Sequence, residues 1–89
     1  MSRVPEVKAV ELEGDFYHVR FRDPNDFAEI RTPEWATNAA REISDGAKVR
    51  MGKRRDGDSW AVQSVLIGKT VGESKSREQA EKIIRKIEE

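Results

Sequence analysis

The sequence predicts an α+β fold: a two-layer sandwich of order ββαββα, with a four-stranded antiparallel sheet and two helices packed on one face. Three observations carry this. Alternating apolar runs flank Gly-Asp turns at 14–15 and at 57–58. A helical stripe at i, i+3, i+4, i+7 follows each hairpin. The two halves also superpose. A shift of 44 lays Thr32 on Ser76, and Ala36, Ala39, Ala40 and Ile43 on Ala80, Ile83, Ile84 and Ile87. A shift of 43 lays Gly14-Asp15 on Gly57-Asp58, Tyr17 on Trp60 and Val19 on Val62. One ββα unit is too small to bury its own apolar face, so two units would share a core. Residues 1–89 are read as a single domain, with pseudo-repeats about 4–45 and 46–89.

Each element has its own signal. Residues 6–13, EVKAVELE, form a strand that ends at the turn Glu13-Gly14-Asp15. Residues 16–22, FYHVRFR, alternate, with Tyr17, Val19 and Phe21 on one face and Phe16, His18, Arg20 and Arg22 on the other. Asp23-Pro24-Asn25-Asp26 ends that strand, since Pro donates nothing to a ladder and Asn and Asp favour turns. Phe27 to Ile30 reads equally as extended chain or as a helical turn. Thr32-Pro33-Glu34 starts a helix, with Thr as N-cap and Pro in the first turn, and Asp45-Gly46 ends it.

The second half repeats the logic. Ala47, Val49 and Met51 turn inward, and Lys48 and Arg50 outward. Residues 59–67, SWAVQSVLI, make the most apolar strand, and Val65-Leu66-Ile67 breaks alternation, as burial on both faces or a bulge would require. Ser76 and Gln79 have capping-box spacing before the last helix. Tyr17, Phe21, Trp60, Leu66 and the isoleucines supply the large core side chains, and a buried Trp60 would cost about 3–5 kcal/mol to remove.

Composition excludes several functions. With no cysteine there is no disulfide, thiolate zinc site or thiol nucleophile, and a reducing cytoplasm suits such a chain. No run approaches the ~20 apolar residues of a membrane span, and the N-terminus lacks a signal-peptide core, so the protein is read as soluble and cytoplasmic, without membrane contact. Seventeen cations balance seventeen anions, but unevenly. Residues 1–45 carry six cations against ten anions, and residues 46–89 carry eleven against seven.

No catalytic set is legible. The serines lack a nucleophile elbow. Gly68-Lys69-Thr70 lacks the upstream glycine of a phosphate loop, because position 63 is Gln. Asp23, Asn25 and Asp26 resemble the start of a calcium loop, but Phe27 and Ala28 break the pattern. His18 is the only histidine and has no companion ligands at metal-site spacing. No cofactor, metal or enzymatic activity is expected.

Binding is the remaining class. If the helices cover one sheet face, the other displays His18, Arg20, Arg22, Lys48 and Arg50 with Phe16, and Lys53, Arg54 and Arg55 extend it at a hairpin tip. Cations interleaved with an aromatic suit single-stranded nucleic acid, through phosphate contacts and stacking, and duplex nucleic acid through phosphates alone. The same residues also serve a wet sheet face that binds nothing. The alternative is a protein-interaction or accessory subunit, or a homodimer, that uses Trp35 and a sheet edge.

The phrases "YHVRFRDPNDF", "IRTPEWATNAA", "GAKVRMGK" and "WAVQSVLI" resemble a family of short uncharacterised archaeal proteins. That resemblance implies no activity, cofactor or site. The neutral charge departs from the acidity of salt-adapted members. The second half alone resembles ββα modules with a "GDSWAV" strand, found in DNA-binding and in unassigned proteins.

Overall fold

The computed structural model describes residues 4–88. Its elements run β1 (Ala9–Glu13), β2 (Phe16–Arg20), β3 (Phe27–Arg31), α1 (Glu34–Arg41), β4 (Lys48–Arg54), β5 (Trp60–Gly68) and α2 (Glu73–Glu88), with short 3-10 turns at Pro24–Asp26 and Lys69–Val71. The strands form one antiparallel sheet in the order β1-β2-β5-β4-β3. The α+β class stands, but the sheet has five strands where four were expected.

The additional strand is β3. Asp23 accepts a hydrogen bond from the Asn25 backbone at 2.9 Å, and the 3-10 turn then delivers Phe27 into pairing with Arg54. The register slips between Phe27 and Glu29, so two β3 residues oppose one step of β4. That bulge hides the period-2 pattern of FAEIR from a sequence reading. Phe27 is buried because β4 carries glycine beside it. A Cβ at Gly52 would lie 2.2 Å from the Phe27 ring.

The helix layer and one sheet face share a single core. Val19, Val49, Val62, Val65 and Ile67 meet Ala36, Ala40, Ala80, Ile83 and Ile84, all with no exposed surface. The small stripe of α1 allows close approach to β4, while the isoleucines of α2 fill the space over β5 and β2. Leu66 is buried too, but its neighbours Val65 and Ile67 face the helices, so Leu66 faces the other way. Burial on both faces therefore accounts for the 65–67 run, and the bulge lies upstream of it at Gln63. β5 is covered on both sides, and it carries a bulge where Arg50 pairs with Ser64 but Met51 pairs with Val62. Gln63 is the extra residue. Its carbonyl accepts from both Phe21 and Arg22, its amide donates to the Arg22 carbonyl at 2.9 Å, and its side-chain oxygen accepts from Ser64 at 3.0 Å.

The helix starts differ from expectation. Pro33, not Thr32, occupies the N-cap position of α1, and no side chain caps that end. α2 begins at Glu73, three residues before the expected cap. Gly72, at φ 91°, makes the sharp entry that any other residue would resist. Ser76 then lies inside the helix, where its hydroxyl donates to the Gly72 carbonyl at 2.6 Å.

Candidate nucleic-acid interface

The sheet face away from the main core is built in cross-strand rows. Glu11, His18, Leu66 and Lys48 align across β1, β2, β5 and β4. Ala9, Arg20, Ser64 and Arg50 form the next row. Phe16 lies above, and the Lys48 ammonium sits 5.4 Å from its ring centroid. His18, Arg20, Lys48 and Arg50 thus share the surface that the sequence assigned to them.

The eight expected cationic-site residues are not equally available. Arg20 is held by Glu11 and, at 2.9 Å, by Glu13. Those carboxylates stand on β1, whose acidity offsets the face. The hydrogen bond from Arg20 holds Glu13 below its ordinary value, and the same contact raises the Arg20 guanidinium. Arg22 is on the other side of the sheet. β2 ends at Arg20, and the shared bonds to the Gln63 carbonyl interrupt alternation. Arg22 then reaches the Val62 carbonyl at 2.8 Å and grips Glu88 of α2 at 2.8 and 3.0 Å. At the hairpin tip, Lys53 faces Asp58 at 3.7 Å and Arg55 donates to the Asn25 carbonyl at 3.0 Å. Arg54 has no ion pair among the described residues.

The unpaired charge gathers elsewhere. β3 covers β4 only from Met51 onward, so α1 lies beside the exposed first half of β4. Between them is a groove of about 540 Å³, lined by Thr37, Asn38, Arg41, Lys48, Arg50 and Leu66, with Thr32 and Glu34 at one end. Neither Arg41 nor Arg50 has an ion pair among the described residues. Thr37 is 8% exposed, and its hydroxyl oxygen is buried without a hydrogen-bond partner. Sequence reasoning missed Arg41 and Thr37. The signal was a polar stripe, Glu34, Thr37, Asn38 and Arg41, at i, i+3, i+4 and i+7, beside the apolar one. Only β4 docking next to it turns that stripe into a groove wall.

His18 is half-buried at the margin of this surface. Partial burial holds its imidazole below the ordinary 6.5, and Arg50 and Arg20 add to this against the opposing pull of Glu13. At neutral pH it is an uncharged hydrogen-bonding group rather than a further cation.

Trp60 corrects another expectation. Trp60 is 39% exposed and Trp35 is 60% exposed, so neither is core. Trp60 does lie on the helix side, opposite Lys53 and two residues from Val62, as alternation requires. It projects where α1 begins and α2 ends, and the helix layer stops short of covering it. Trp35 follows the start of α1 next to the buried Ala36. The two indoles line one cleft.

Among the described residues, no cluster of three or more His, Asp or Glu side chains could hold a metal ion. No helix among them is long and apolar enough to cross a membrane. The site is a cationic groove on a small antiparallel α+β domain. No family model, curated protein or solved structure matches the chain.

Proposed function

We propose that this protein is a small non-enzymatic binding module for single-stranded nucleic acid, working in the cytoplasm. The observation that carries the reading is the groove. Arg41, Lys48 and Arg50 converge on it against one carboxylate, Glu34. Guanidinium groups pair with phosphodiester oxygens through two N–H donors, and an ammonium adds a point charge. Phe16, whose ring the Lys48 ammonium overlies, places one aromatic side chain beside these cations. Arg54 extends the positive surface toward the hairpin tip.

Three phosphate contacts to a single strand give a log–log salt slope of about −2. Fluorescence anisotropy with a labelled single strand of about ten nucleotides, titrated at several salt concentrations, measures it. Arg41→Glu with Arg50→Glu should abolish binding and leave the thermal melt unchanged. Absence of binding at low salt, or binding indifferent to that double variant, overturns the reading. Duplex of the same sequence should bind more weakly. The rival reading, a protein-interaction subunit that uses Trp35 and a sheet edge, draws on the exposed indoles. It expects those charge changes to do nothing.

A further inference from the structure

Two large aromatic side chains exposed on one small domain require an explanation, because neither contributes to the core. Trp35 and Trp60 are the chain's only tryptophans, and both line a cleft of about 390 Å³ completed by Arg31, Thr32, Pro33 and Met51. Several of its walls are planar or rigid. The Arg31 guanidinium lies 6.0 Å from the Trp60 ring centroid and is oriented by Glu29. Pro33 is fixed by its ring.

The charge around the cleft decides what it can accept. Glu29 is committed to Arg31 and Glu88 to Arg22, while Glu34, between the cleft residues Pro33 and Trp35, has no ion pair among the described residues. A guanidinium already lies over the Trp60 ring, which disfavours a second cation on that face. A flat, uncharged π-system attached to an anion meets no such objection. Thr32 lines both the cleft and the cationic groove, so the two lie on either side of one residue.

We infer that the Trp35–Trp60 cleft is a base-stacking subsite. It would take one nucleobase of a single strand whose adjoining phosphates lie in the Arg41–Lys48–Arg50 groove. The inference rests on the nucleic-acid reading of that groove and adds to it a second contact of different chemistry. Stacking on aromatic side chains tolerates any base, because every base has a π-face, so this subsite contributes affinity and strand choice rather than sequence. It also explains a preference for single strands, since a paired base has both faces occupied.

Tryptophan emission reports on this site alone. A single strand of about ten nucleotides should quench it as the strand binds, and Trp35→Ala should weaken binding about 5- to 100-fold at fixed salt. The salt slope should not change, because no phosphate contact is lost. Trp35 is mostly exposed, so this variant should fold as the parent does. An oligonucleotide with abasic positions should bind the unaltered protein more weakly and leave its emission unquenched. Binding by anisotropy with unchanged emission, and full affinity in Trp35→Ala, would overturn the stacking subsite and leave the groove reading in place. No binding at all would overturn both. A dimer in sedimentation that Trp35→Ala dissolves would assign the cleft to self-contact and overturn the subsite.

Discussion

His18 is the chain's only histidine, so its ring protons can be followed through a pH titration without ambiguity. Its midpoint should fall below 6.5, with burial as the main cause. Arg50→Gln removes one of the two cations that depress it, so the midpoint should rise in that variant yet stay below 6.5. A midpoint at or above 6.5 in the parent would contradict the site electrostatics. The sign for stability follows. The unfolded chain takes up this proton at higher pH than the folded one, so the fold loses stability as pH drops below 6.5. Glu13, held down by Arg20, adds loss of the same sign below 4.5. Gly52 makes a second demand on a single position. Its backbone lies against the Phe27 ring, so Gly52→Ala must push the ring or the strand aside, at about 1–3 kcal/mol in a denaturant melt. Phe27→Leu in the same chain should recover part of that loss, since the two positions touch. An unperturbed melt for Gly52→Ala would mean that Phe27 does not pack there.

Among the elements, both hairpins and both amphipathic helices were legible, because turn residues and periodicity are local signals. β3 was not. A bulge shifts its alternation by one residue, and its partner β4 follows some twenty residues later. The helix starts were misread for a related reason. Thr32 and Ser76 are good capping residues, yet backbone turns at Pro33 and Gly72 set where the helices begin. Arg22 shows how one bulge redirects function. Without Gln63 it would stand beside Arg20 on the cationic face. Instead it joins α2 to the sheet through Glu88, which also accepts from the Val62 backbone at 2.7 Å. Glu88→Gln should weaken both contacts and lower stability by about 1.5–3 kcal/mol in a denaturant melt. Glu88 does not line the Arg41–Lys48–Arg50 groove, so the salt slope of binding should survive at temperatures where the variant remains folded. A changed salt slope without loss of stability would refute the separation of Glu88 from the groove.

At the scale of the molecule, balanced charge conceals a division of labour. The acids of β1 neutralise Arg20, and the cations of β4 and α1 stay open beside it. The cationic face was legible from alternation in single strands. The groove was not, because it exists only between α1 and an uncovered stretch of β4. The same topology also governs how the chain can fold. The two hairpins bring together residues that are near in sequence, but the centre of the sheet is the β2–β5 seam. There Phe16 meets Gly68 and Arg20 meets Ser64, contacts 52 and 44 residues apart. Each hairpin alone is marginal, because its apolar face waits for the other. The chain must therefore close one long loop before burial rewards it. For so short a protein, folding speed is set by that single encounter rather than by its helices.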